Sequence, residues 1–282
     1  MATIWELDFY SRPVLDENNK KIWELLICDT DRQFEWVKEC PSNEVNSTWL
    51  ASQLREAVAA SQQPPLKIRF YRPSMSNIIT RGCKQAEIPS LASRRLFTLS
   101  AWLQERMEQV YPQRPGFQAA DPKPLPLQVQ AITSLPVPNA LMGDRWILVS
   151  LTAADLASAS EWSMDFGETF QTASLVPDLV IPGIIMISAR ALPLAAWMSG
   201  VDPVFLKFER AAIAGKTQLL LEASADASWI LTSLQAPKDS KAIAEGDSFE
   251  AAKQKANGIH FMAVQTNPDV EHFAGFWLLK EV

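Results

Sequence analysis

Hydrophobic and polar residues alternate at the start of the chain. In TIWELDFY, Trp5, Leu7 and Phe9 fall on one side of an extended segment, with Glu6 and Asp8 on the other. Turn-forming LDENNKK separates this run from the apolar IWELLIC, a pattern that predicts a β-hairpin. The period changes near Asn46, where Trp49, Leu50, Leu54, Ala57 and Val58 recur at helical spacing behind an asparagine able to cap them. Pro64 and Pro65 close that helix. Alternation returns in LKIRFY, a half-buried strand with Leu66, Ile68 and Phe70 inward and Lys67, Arg69 and Tyr71 outward.

Two readings of that outward face stay open. Exposed, it aims cations at a partner; laid beside Glu6 and Asp8 on a neighbouring strand, it forms a cross-strand salt network. Beyond Pro73, Ser74 is placed to cap a short helix through Met75, Ile78 and Ile79, with Gly82 as its left-handed terminator. The turn Tyr71-Arg72-Pro73-Ser74 then leads a strand into a helix N-terminus and reads as an anion site, without the glycines of a nucleotide loop. A longer helix is expected over residues 91–110, burying Leu96, Leu99, Leu103, Met107 and Val110, with Arg95, Trp102 and Arg106 on its shoulder.

Seven prolines between Pro112 and Pro138 oppose both helix and central strand. They predict an N-terminal domain over 1–112, a Pro-rich linker over 113–138 and a C-terminal domain over 139–282. The second domain carries short apolar runs such as RWILVSL, TQLLLEA and FAGFWLL, joined mostly by turn-like connections, which imply a largely antiparallel sheet. Asp247 and Glu250 resemble a capping box opening a helix that ends at Asn257-Gly258. The expected class is α+β, two domains, each a mixed or largely antiparallel sheet with packed helices. A faint echo between FYRPSMSNIITRG and SARALPLAAWMSG places Arg72 and Arg190 at equivalent strand-to-helix turns.

Charge changes this picture more than composition does. The chain of 282 residues carries a net charge of −6, yet residues 66–115 hold 9 basic and 3 acidic side chains. Such a block is either a solvated face or an RNA footprint. The first candidate contacts are Lys67, Arg69, Arg72, Arg81, Lys84, Arg94, Arg95 and Arg106 for phosphates. Tyr71 and Trp102 are the stacking residues, and Phe70 a weaker one because its alternation turns it inward.

Catalytic signals are sparse. Only His260 and His272 are present, and His260 sits in the apolar strand pattern of GIHFMAV, where a satisfied structural histidine is expected. There is no metal-binding histidine pair, nucleophile elbow or phosphate loop, and no cofactor is expected. The remaining enzyme reading is a magnesium nuclease using Glu6, Asp8 and Glu24 near Lys67. Cys28, Cys40 and Cys83 are too widely spaced for a zinc or redox motif and read as reduced thiols. The apolar run near residues 179–187 is broken by Pro182 and Gly183, so no membrane span is expected.

Two long segments carry a resemblance: TIWELDFYSRPVLDENNKKIWELLICD at the start and ANGIHFMAVQTNPDVEHFAGFWLL at the end. They resemble the Tab family of translation factors for photosystem I reaction-centre mRNA, found in chloroplasts and cyanobacteria. The resemblance implies a non-enzymatic, RNA-binding protein that recognises an A/U-rich single-stranded leader. It also implies support for translation and assembly of photosystem I, with photosystem II as a secondary candidate. The family signatures fall on Trp5, Glu6, Leu7, Asp8, Phe9 and Tyr10, and on Phe276, Trp277, Leu278 and Leu279. With no Arg- and Ser-rich leader before IWELDFY, a cyanobacterial cytoplasmic setting is expected. The alternative from another class is an assembly factor that docks translation machinery or photosystem subunits and does not bind RNA directly.

Overall fold

The computed structural model describes residues 3–119, 133–141, 143–170, 172, 175–210 and 216–281. They divide into two compact units, Met1–Gln128 and Val129–Val282. The architecture is α+β in both.

In the first unit, β1 (Ile4–Leu15), β2 (Lys21–Asp29) and β3 (Glu35–Cys40) form an antiparallel meander. The turn at Asp16–Lys20 is closed by the Asp16 carboxylate, which accepts from the amides of Asn18 and Lys20 at 2.8 Å each. Helix α1 (Ser47–Ser61) then crosses over to β4 (Lys67–Phe70), which runs parallel to β1, and α2 (Ser76–Gln85) crosses to β5 (Ser90–Ala92), parallel to β4. Parallel neighbours need such crossovers. The sheet order is β3-β2-β1-β4-β5.

Alternation decides what covers each face. Trp5, Leu7, Phe9, Leu25, Ile27 and Ile68 join Leu50, Leu54, Ile79 and Cys83 in one core. Val14, Leu26 and Cys28 on the opposite face pack with Leu96, Leu99, Trp102 and Leu103 of the α3 region (α3, Phe97–Glu105) and with Tyr111. Asn46 caps α1 as expected, accepting from the amides of Thr48 and Trp49 at 2.9 Å.

Three expectations in this unit are corrected. Gly82 does not end its helix. It lies inside α2, where a Cβ would come within 2.8 Å of the Leu50 side chain, so close packing of α1 on α2 is what requires glycine there. Ser74 does not cap α2 either, because residues Pro73–Met75 form a 3₁₀ turn behind Arg72. The helix expected over 91–110 begins only at Phe97, after β5, and its last turn, Arg106–Val110, widens to a π-helix.

Of the expected 113–138 linker, residues 120–132 lie outside the described residues. Residues before them belong to the first unit: Leu15 donates to the Gly116 carbonyl and Gln118 to that of Pro13, both at 2.9 Å. Residues after them belong to the second, where β6 (Leu135–Pro136) pairs with a later strand.

The second unit contains β7 (Arg145–Thr152), α4 (Ala153–Ala157), β8 (Ser163–Glu168), β9 (Val180–Ile187), α5 (Ala191–Val201), β10 (Pro203–Arg210), β11 (Lys216–Ala223), β12 (Ala227–Gln235), α6 (Ser240–Lys255), β13 (Ile259–Gln265) and β14 (His272–Lys280). They build a mixed sheet in the order β7-β9-β13-β14-β8 and a largely antiparallel one in the order β10-β11-β12-β6. Met186, Leu194, Met198, Leu206, Leu221, Phe249 and Trp277 fill a common core between the sheets and helices. The expected capping box at Asp247 is displaced. Helix α6 starts at Ser240, and Glu250 faces inward to accept the Phe208 amide at 2.7 Å. The capping box that does form joins Thr152 to Asp155 at the start of α4. Among the described residues no helix is long and apolar enough to cross a membrane.

Candidate nucleic-acid interface and the buried charge cluster

Strand alternation places Glu6, Asp8 and Arg12 on the β1 face that α3 covers, with Glu24 opposite on β2. All four are buried. Burial alone would raise the pKa of Asp8, but the guanidiniums of Arg12 and Arg72 outweigh it and hold the carboxyl below its ordinary 3.8. Arg12 donates to Asp8 at 2.8 Å and to the Glu24 carboxylate at 3.1 Å; Arg72 grips Asp8 in a fork at 2.9 and 3.0 Å. The Glu24 carboxylate also accepts from Arg106 at 2.6 Å and from the Tyr111 hydroxyl. Burial pushes that phenol up to about 12, so it stays protonated and donates. Glu6 accepts the Leu99 amide at 2.7 Å, tying β1 to α3.

This arrangement decides the fate of most of the basic block. Arg69, Arg72, Arg94, Arg95 and Trp102 are buried, and Arg69 stands beside Glu6 in the β1–β4 ladder. The face read as outward is therefore covered at Arg69, while Lys67 and Tyr71 on the same strand face stay half-buried. The turn at Tyr71–Ser74 holds an anion of its own, the Asp8 carboxylate. Arg106 keeps 13% of its side chain exposed while paired to Glu24, and its guanidinium lies 5.8 Å from the centre of the Trp102 ring. Phe70 is buried; Lys67 and Tyr71 are half-buried; Arg81 and Lys84 are exposed one turn apart on α2. Arg55 of α1 reaches the same surface and donates to the Gln85 carbonyl.

The carboxylates of the nuclease reading, Glu6, Asp8 and Glu24, share one buried face, but Asp8 and Glu24 are already matched by Arg12, Arg72 and Arg106. Guanidiniums at these oxygens oppose a divalent cation there. Among the described residues no group of three or more His, Cys, Asp or Glu side chains is arranged to hold a metal. The three cysteines are free and buried, and burial pushes the Cys40 and Cys83 thiols up to about 12.

Sequence reasoning missed Arg12 and Tyr111, although acids alternating on an otherwise apolar strand signal that cations must arrive from elsewhere. It also missed a polar knot in the second unit. Lys253, buried, donates to the Leu206 carbonyl at 2.8 Å and pairs with Glu250 at 2.7 Å and Glu281 at 2.5 Å. His260 is the satisfied structural histidine expected: its Nε2 accepts the Leu206 amide and its Nδ1 faces the Gly258 carbonyl, both at 2.8 Å. Burial first, then the Lys253 charge, lowers it to about 3, so it is neutral. Ser163, His272 and Asp165 form a hydrogen-bonded row across β8 and β14, at 2.8 Å for each contact. With His272 and Asp165 each more than 40% exposed, the row lacks the water-excluded setting that makes such groups catalytic.

The signature residues Trp5, Glu6, Leu7, Asp8, Phe9, Phe276, Trp277, Leu278 and Leu279 are all buried, and Tyr10 is half-buried. Residues 4–106 match the family described as RNA-binding protein Tab2/Atab2 N terminal, and residues 124–280 match the corresponding C-terminal domain. A protein TAB2 homolog, chloroplastic, from Zea mays is 36% identical over 99% of this chain and 71% of its own length. A protein of the same description from Arabidopsis thaliana is 36% identical over 99% of this chain and 74% of its own. A chain in a simian T-cell lymphotropic virus intasome structure with PP2A regulatory subunit B56 gamma aligns with a TM-score of 0.28 at 13% identity, over 53% of this chain and 62% of its own, which supports no argument about fold.

Proposed function

Since this chain belongs to the Tab2/Atab2 family, whose members are RNA-binding proteins and not enzymes, we propose that it binds a single-stranded, A/U-rich mRNA leader and supports translation and assembly of photosystem I. The observation that carries this reading is that both units, separately, match domains of one RNA-binding family. A cyanobacterial cytoplasm is the proposed setting.

The interface we assign to RNA differs from the whole basic block. Phosphates meet the cations that reach solvent: Arg81 and Lys84 on α2, Arg55 beside them and Lys67 at the start of β4, with Tyr71 offering a ring. Arg69, Arg72, Arg94, Arg95 and Trp102 are buried and stand outside this interface, Arg72 serving Asp8 and Trp102 the core under α3.

Fluorescence anisotropy with a labelled A/U-rich single-stranded RNA, titrated across salt beside a structured control, tests the reading. Saturable binding that weakens steeply with salt, with no cleavage in magnesium, is expected. Absence of binding at low salt would replace RNA with a protein partner, such as translation machinery or photosystem subunits.

A further inference from the structure

Strand β7 ends its sheet, and among the described residues no strand pairs with its outer side. Its ladder to β9 runs from Arg145 opposite Ile187 to Thr152 opposite Val180 without a bulge, and the Ala153 amide continues it to the Leu179 carbonyl at 3.0 Å. Antiparallel pairing alternates, so the odd-numbered residues bond β9 while Trp146, Leu148 and Ser150 turn their N–H and C=O groups outward. The outward amide of Thr152 is met by the Asp155 carboxylate at 2.7 Å. We propose that this edge pairs with β7 of a second copy of the chain, antiparallel about a twofold axis at Leu148, which joins two five-stranded sheets into one.

Sheet edges are ordinarily blunted by charge, proline, bulges or shortness. The other terminal strands follow that rule. Glu35, Lys38 and Glu39 mark β3, Asp165 marks β8, and Lys207 and Glu209 mark β10, while β5 and β6 have only three and two residues. By contrast, β7 has eight residues, RWILVSLT, with no charge, proline or bulge after Arg145. None of the eight is fully buried, although β9 and β13 behind it largely are. A long apolar edge left open in this way is an association surface.

A second copy fits this edge because the edge is complementary to itself. With the axis at Leu148, Trp146 of each copy lies opposite Ser150 of the other, a large ring across from a small exposed residue, and Leu148 meets its own counterpart. Arg145 comes opposite Leu151 of the second copy, on the face that Val149 and Leu151 share with α4, whose exposed Asp155 carries the matching charge. On the other face a groove of about 850 Å³ separates β7 from α6. Ala244, Ser248 and Ala252 line it with small side chains, beside exposed Lys241 and Glu245. The twofold sets α6 antiparallel to its copy, so Lys241 of each helix is directed to Glu245 of the other. Symmetry doubles both charge matches, which a foreign strand would not supply.

Sedimentation equilibrium of the full chain at micromolar concentration is expected to give twice the 31.4 kDa mass of one chain. Ser150→Pro removes an outward amide at an exposed position that makes no hydrogen bond to β9, so circular dichroism should stay native while the dimer dissociation constant rises about tenfold or more. Leu148→Cys should close an intermolecular disulfide under mild oxidation, since residues facing each other in a hydrogen-bonded antiparallel pair have Cα atoms about 5.5 Å apart. The native cysteines are buried and do not compete. Ser150→Cys, which faces Trp146, should stay uncrosslinked. A monomer at every concentration overturns the proposal, as does a dimer that is insensitive to Ser150→Pro or that Leu148→Cys fails to crosslink. A monomer that instead takes up an extended peptide along β7 replaces the second copy with a foreign strand. None of these outcomes depends on RNA binding.

Discussion

Asp8 and Arg72, 64 residues apart in sequence, close a two-pronged ion pair inside the first unit, with the Asp8 side chain wholly buried. Arg12 holds the same carboxylate from four residues further along its own strand. The pair fastens the segment after β4 to the centre of β1.

Breaking the pair on one side leaves a buried charge without its match. Arg72→Met is therefore expected to destabilise the first unit by about 3–5 kcal/mol in urea unfolding. The folded fraction should retain its RNA affinity, because Arg72 does not reach solvent. A large loss of affinity without loss of stability would return Arg72 to the RNA interface.

The Asp8 pKa gives the same cluster an acid limit. A carboxylate held lower when folded than when unfolded adds stability above its ordinary 3.8, and that stability is lost as pH falls through the lowered value. The contribution of Asp8 should be complete at neutral pH, begin to decline near pH 4 and be gone only below the lowered folded value. Urea midpoints measured down that range should fall more steeply in the wild type than in Asp8→Asn.

His260 predicts a second window at milder pH. Its unfolded value of 6.5 drops to about 3 when folded. The unfolded chain therefore takes up a proton first, and stability present above pH 6.5 declines toward pH 3. Between pH 7 and pH 5 the expected loss is about 2 kcal/mol. In His260→Gln, which has no proton to gain, the unfolding free energy should change little over that interval while starting lower.

The exposed cations make the opposite prediction from the buried ones. Arg81→Glu with Lys84→Glu should leave the melting curve nearly unchanged and weaken RNA binding. If each residue meets a phosphate, the salt slope should flatten by roughly 0.7 per contact. An unchanged slope would remove α2 from the interface.

Gly82 offers a check on packing alone. A side chain there meets Leu50 at 2.8 Å, so Gly82→Val should force α1 and α2 apart and cost about 1–3 kcal/mol. A fully native melt would show that Leu50 can move aside.

Local signals were strong enough to read much of the fold. The alternation of Trp5, Leu7 and Phe9 and the turn in LDENNKK specify a hairpin, and Asn46 before an apolar stripe specifies α1, because these preferences act within a few residues. The helical run over 91–110 was legible as apolar spacing, but its start was not, since β5 pairs with β4 through contacts the spacing does not encode. Glu250 looked like a cap by its distance from Asp247, yet its partners Phe208 and Lys253 bring it into the interior of α6.

The candidate site divides in the same way. The sequence by itself determined that residues 66–115 concentrate positive charge, and that Glu6 and Asp8 alternate with the core of β1. Only the tertiary structure decided that Arg72 serves Asp8 while Arg81 serves the surface, because the sign of a charge is local but its partner is whatever the fold brings within hydrogen-bonding reach. Arg12, Glu24 and Tyr111 meet across β1, β2 and the turn beyond α3, and no spacing along the chain announces that meeting. Charge density is a property of composition. Its burial is a property of packing, where the cost of desolvating a carboxylate compels a guanidinium to follow it inside.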